Sequence, residues 1–157
     1  MKKYVLFLVL GLMSFGMTMT SCTKEKKKDD PVAVDSRDAY VGTWNYKEIG
    51  SITLYYSGSS IGTMPIDTSG TNKVSKSGNS GLIIDGKLFT VNDNKLSSDP
   101  ESITETKNGL NIVGTATYTG QLGSNMITIN SSVTGTWSNS NGATGNFSGT
   151  TVRTLTK

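Results

Sequence analysis

Few residues in this chain can do chemistry. None of its 157 residues is a histidine, and only one, Cys22, is a cysteine. Without imidazole the chain lacks the commonest general base, the usual zinc or copper ligand, and any Ser-His or Cys-His nucleophile pair. Carboxylates and phenols remain. Asp93, Asp99 and Glu101 gather in "NDNKLSSDPE", but their spacing matches no calcium loop, and solvation of a loop explains them better. Glu48 and Asp85 both fall in strand-like runs and are the pair that two-carboxylate glycoside hydrolysis would need. Nothing in the sequence sets them opposite each other. The glycines follow no strand-loop-helix pattern, so no phosphate cradle is expected. The expectation is no catalytic residue, no metal and no cofactor.

The aromatic residues point to binding instead. Tyr46, Tyr56, Phe89, Tyr118 and Trp137 exceed what a small core needs, and a phenol offers an apolar body with a polar tip. They are the candidate ligand-binding residues, with Trp137 read first as inner-wall packing.

Elements that would position them are strands. Helical periodicity is missing, whereas alternation recurs. Trp44, Tyr46, Ile52, Leu54 and Tyr56 share one face of a first run, with a bulge or bend expected at Gly50. Residues 110–118 put Leu110, Ile112, Gly114, Ala116 and Tyr118 on one face. Residues 126–137 do the same with Ile127, Ile129, Val133 and Trp137. Asn108-Gly109 is a preferred two-residue hairpin turn. Longer turns are expected at 119–125 and 138–145, and loops at 70–81 and, around Pro100, at 92–102. A strand is expected near Ile61 to Ile66. "LIIDGKLFT" reads either as one strand or as a hairpin about Asp85-Gly86. About seven to nine short strands without a covering helix predict an all-β fold, most simply a small antiparallel up-and-down barrel, with a β-sandwich as the fallback.

The chain's ends carry a different message. Residues 1–21 have a basic head at Lys2 and Lys3, an apolar run from Tyr4 to Met13, and then small and polar residues, the layout of a secretory leader. "MTSC" resembles the lipobox of bacterial lipoproteins, which implies cleavage before Cys22, lipidation of its thiol and attachment to a membrane. Residues 22–39, with "TKEKKKDDPVAVDSRD", are too charged to fold alone and are expected to be a flexible tether, leaving residues 40–157 as one domain. Of the 15 Lys and Arg, seven precede Tyr40, as do five of the 12 Asp and Glu, so the remainder is nearly neutral. With no basic stripe, nucleic acid is not an expected partner.

"AYVGTWNY", where the tether meets the first strand, resembles the lipocalin signature: a short helical turn, then Gly-x-Trp entering strand one. Together with the lipobox it makes residues 40–157 similar to the small lipocalin-like (calycin-like) lipoproteins of Bacteroidetes. The resemblance implies a structural trio of Gly42, Trp44 and Arg153, with the guanidinium stacked on the indole, and an outer-membrane binding protein for a small apolar or amphipathic ligand. The alternative is a surface lipoprotein that recognises a protein or glycan through its outer face or loops. This chain lacks the C-terminal helix of typical lipocalins and is shorter.

Overall fold

Alternating side chains and frequent turn residues produce strands almost throughout. The computed structural model describes residues 35–157 apart from Asn108. The expected leader, Cys22 and most of the expected tether lie outside the described residues. A 3₁₀ turn at Ser36–Tyr40 leads into nine strands: β1 Gly42–Tyr56, β2 Ser59–Ser77, β3 Gly81–Ile84, β4 Lys87–Asn92, β5 Lys95–Ser97, β6 Glu101–Lys107, β7 Leu110–Leu122, β8 Met126–Asn139 and β9 Thr144–Thr156. They form a single antiparallel sheet in the order β5-β4-β3-β2-β1-β9-β8-β7-β6. β5 also pairs with β7, through Lys95–Gln121 to Ser97–Thr119, so hydrogen bonds run in a ring through eight strands, with β6 outside it. One sheet curling onto itself replaces the two stacked sheets of a sandwich.

The elements depart from the sequence reading in places. β2 runs on through Ser77, absorbing most of the loop expected at 70–81. β5 and the start of β6 occupy the loop expected at 92–102. β7 and β8 extend into the expected longer turns. "LIIDGKLFT" is a hairpin: Asp85 and Gly86 take φ of 54° and 76°, as a tight turn between right-twisting strands requires. The β1–β2 register passes unbroken through Gly50, and the shift falls between Leu54 and Tyr55. Gly50 serves a different purpose, a close crossing, since a Cβ there would lie 2.1 Å from the Thr150 carbonyl oxygen.

Residues before Tyr40 also take part in the fold. Arg37, placed in the tether by its charged neighbours, is buried, and its guanidinium donates to the carbonyls of Gly78 (3.1 Å) and Gly81 (3.0 Å). Asp35 grips the same guanidinium at 2.7 Å and also accepts from the Arg37 backbone N–H. The bond from Arg37 holds the Asp35 carboxyl far below the usual carboxylate range. Charge here is structural, tying the 3₁₀ turn to the carbonyls of the β2–β3 turn.

Apolar packing is concentrated at the ring end. Trp44, Val74, Leu82, Ile84, Phe89, Leu96, Leu122, Ile127, Ile129 and Leu155 form one cluster. Towards the other end, aromatic rings lie on cross-strand glycines. Phe147 is buried over the Gly114–Gly135 pair, and a Cβ at Gly135 would meet Phe147 Cε1 at 2.7 Å and the Val113 carbonyl oxygen at 2.2 Å. Gly135→Ala is therefore expected to destabilise by about 1–3 kcal/mol through overpacking. Gly62→Ala, with nothing within 4 Å of its Cβ, should change stability by less than about 0.5 kcal/mol. Urea midpoints of the two variants check the contrast.

Candidate functional site

A partly enclosed pocket of about 240 Å³ lies above the apolar cluster. Its floor comes from the long strands. Strand alternation brings Glu48 of β1, Thr151 and Arg153 of β9, Ile129 and Ser131 of β8 and Tyr118 of β7 onto the inner face. Its opposite wall is the β3–β4 hairpin, with Ile84, Asp85, Lys87 and Phe89, joined by Glu101 at the start of β6. Of these eleven residues four are apolar or aromatic, five are ionic and two carry hydroxyls.

Arg153 organises the ionic group. Its Nε and one terminal nitrogen donate to Glu48 Oε2 at 2.9 and 2.7 Å, and the other terminal nitrogen donates to Asp85 Oδ2 at 2.7 Å. The same nitrogen reaches Asn72 Oδ1 at 3.5 Å. Glu48 Oε1 accepts the Thr151 hydroxyl at 2.5 Å, and Ser131 shares a hydrogen bond with that hydroxyl at 2.6 Å. Gly50 lies directly across from Thr151, and the missing side chain gives Thr151 the room to lean towards Glu48. Burial opposes the charge on Arg153, yet the Asp85 and Glu48 carboxylates more than offset it and raise the guanidinium's affinity for its proton.

A second ion pair stands across the pocket. Lys87 pairs with Glu101 Oε2, and the Lys87 ammonium lies 4.3 Å from the centroid of the Tyr118 ring. That bond to Lys87 pulls the Glu101 carboxyl below its ordinary range. The Tyr118 hydroxyl donates to Glu101 at 3.3 Å, and desolvation, added to by the neighbouring Glu101 charge, raises the phenol above its usual value. Phe89 meets Tyr118 edge-on, ring centroids 6.5 Å apart. Phenol and phenyl thus make the apolar wall.

The five candidate aromatics are divided by the fold. Phe89 and Tyr118 line the pocket, and Tyr46 lies beneath Arg153, 4.9 Å from guanidinium carbon to ring centroid. Tyr56 and Trp137 sit at the far end, their centroids 6.3 Å apart. The Trp137 indole N–H donates to the backbone oxygens of Tyr55 and Asn146, both at 3.1 Å, so this ring is packing. Glu48 and Asp85 are brought together after all, but as two acceptors on one guanidinium. Among the described residues no group of three or more Asp, Glu or Cys is arranged to hold a metal, Asp93, Asp99 and Glu101 included.

The Trp44–Arg153 stack does not form. Gly42 opens β1 at φ 131° and Trp44 is 1% exposed at the ring end. The cation over its indole is Lys157, at 4.9 Å, and the ring under Arg153 is Tyr46. Register is the reason: Arg153 pairs with Glu48, four residues along β1 from Trp44. That is about 13 Å of extended strand, beyond a guanidinium's reach. Lys87, Ser131 and Thr151 carried no sequence signal, since lysine and hydroxyl residues recur throughout the chain.

No family model, curated protein or solved structure matches the chain.

Proposed function

We propose that this protein is an exported, lipid-anchored binding protein of lipocalin-like barrel architecture that holds a small amphipathic ligand in the pocket beneath the β3–β4 hairpin. One observation carries the reading: a cavity of about 240 Å³ stands beside a packed core, with Phe89 and Tyr118 on one side and an ion-pair network on the other. A wholly apolar ligand would leave that network desolvated and unanswered, so the ligand needs a polar end. Saturation-transfer NMR with phenethyl alcohol, an uncharged ring with a polar tip, tests the site. Signal is expected from the wild-type chain and is expected to vanish when Ser131→Trp fills the cavity. Absence of transfer, or transfer indifferent to Ser131→Trp, refutes the pocket.

Attachment rests on the lipobox-like ending before Cys22. Cys22→Ser should move the protein from the membrane pellet to the soluble fraction, and a variant still in the pellet speaks against a lipid anchor.

A second reading has its own support. Across six strands, Ser102, Thr115, Thr134, Ser148, Thr53 and Thr63 fall in one register row on the outer face. Such an uncharged hydroxyl row suits contact with a glycan or a protein surface. Loss of partner capture on changing Thr115 and Thr134 to lysine, with phenethyl alcohol binding intact, favours this role over the pocket.

A further inference from the structure

We infer that the pocket selects a small organic cation, an alkyl- or arylammonium, over an anion or a neutral ring; this rests on the pocket-binding reading above. The lining carries three carboxylates, Glu48, Asp85 and Glu101, against two cations, Lys87 and Arg153. A monocation neutralises that balance, whereas a monoanion deepens it. Hydrogen-bond inventory points the same way. Glu48 already engages both of its oxygens, with Arg153 and Thr151. Asp85 and Glu101 each engage their partner through one oxygen, Oδ2 and Oε2, and among the described residues Oδ1 and Oε1 accept nothing. Both carboxylates are more than half exposed at the pocket, so the free capacity is acceptor capacity. An ammonium brings three donors and no acceptor.

The pocket already holds one such group. The Lys87 ammonium sits over the face of Tyr118 while bound to Glu101, a primary ammonium with its alkyl stem in a carboxylate-and-phenol corner. A ligand ammonium takes the same corner or the adjacent Asp85 oxygen, its ring or chain lying against Phe89 and Tyr118. Lys87 is then a competitor built into the site.

Calorimetric titration of the full chain with phenethylammonium chloride, hydrocinnamate and phenethyl alcohol tests this. The ammonium should bind about tenfold more tightly than either of the other two. Asp85→Asn with Glu101→Gln should weaken the ammonium about tenfold, and by more than it weakens the alcohol. Asparagine tolerates the positive φ at position 85, so the turn is kept. Lys87→Met should tighten the ammonium, removing the resident competitor and one positive charge. Hydrocinnamate or the alcohol binding as tightly as the ammonium overturns the cation preference while the pocket stands. No saturable binding of any of the three overturns the pocket and the cation preference together.

Discussion

Trp44→Ala should cost about 3–5 kcal/mol of unfolding free energy, the largest effect of any single change in the apolar cluster. Trp44 is the largest fully buried side chain, 1% exposed, at the end where the eight-stranded ring closes. Its indole N–H donates to the Tyr40 carbonyl at 2.7 Å, and Tyr40 stacks on it with ring centroids 6.4 Å apart. One side chain thus fastens the 3₁₀ turn to the ring interior. Alanine would leave a cavity and an unsatisfied carbonyl. Trp44→Phe should keep most of the packing and lose about 1–2 kcal/mol, the worth of a hydrogen bond and a few ring atoms. Lys157→Met, which removes only the cation over the ring, should cost less than either. Guanidinium denaturation followed by far-UV circular dichroism reads all three. A Trp44→Ala variant within about 1 kcal/mol of wild type contradicts the assignment of Trp44 as the plug of the ring.

The strands most legible in the sequence are those with one buried face. β7 and β8 announce themselves because every second residue from Leu110 to Tyr118 and from Ile127 to Trp137 had to be apolar or small to face inward. β2 was legible only near Ile61 to Ile66, because its residues from Ser59 to Thr71 are nearly all exposed and its two buried positions, Asn72 and Val74, fall in a run of turn-like residues. It is held by its backbone ladder to β1, and such a ladder leaves no hydrophobic period to read. β5 is three residues long, too short for any pattern, although the ring closes through it. The pocket was less legible for a related reason. Glu48 and Arg153 are 105 residues apart and meet only because β1 pairs with β9. Strand alternation put Trp44 and Trp137 on inward faces, and both indoles are buried. It could not say that they sit at opposite ends, nor that the cation over Trp44 is Lys157, because alternation fixes the face of a strand and leaves the height to register.

Arg153→Met is expected to destabilise by about 2–4 kcal/mol, and the route of that loss separates two accounts of the arginine. The Arg153 side chain is 24% exposed and that of Glu48 16%, so the pair stands largely out of water without being sealed from it. Removing the guanidinium strands the Glu48 charge beside Thr151 and frees Asp85 and Asn72 from their shared donor. If that stranded charge is the main cost, Glu48→Gln combined with Arg153→Met should recover about half of the loss, with a coupling energy of about 1–3 kcal/mol. Arg153→Lys keeps the charge but cannot bond Glu48 and Asp85 through a planar fork, so it should fall between wild type and Met. A guanidinium stacked on Trp44 would behave differently: the loss would be indifferent to Glu48, and the Trp44 emission would shift. Additive costs at positions 48 and 153 would therefore refute the ion pair as the organiser of the pocket. Coupled costs with unchanged tryptophan emission place the arginine in the network that shapes the cavity, four residues along β1 from the indole that closes the ring.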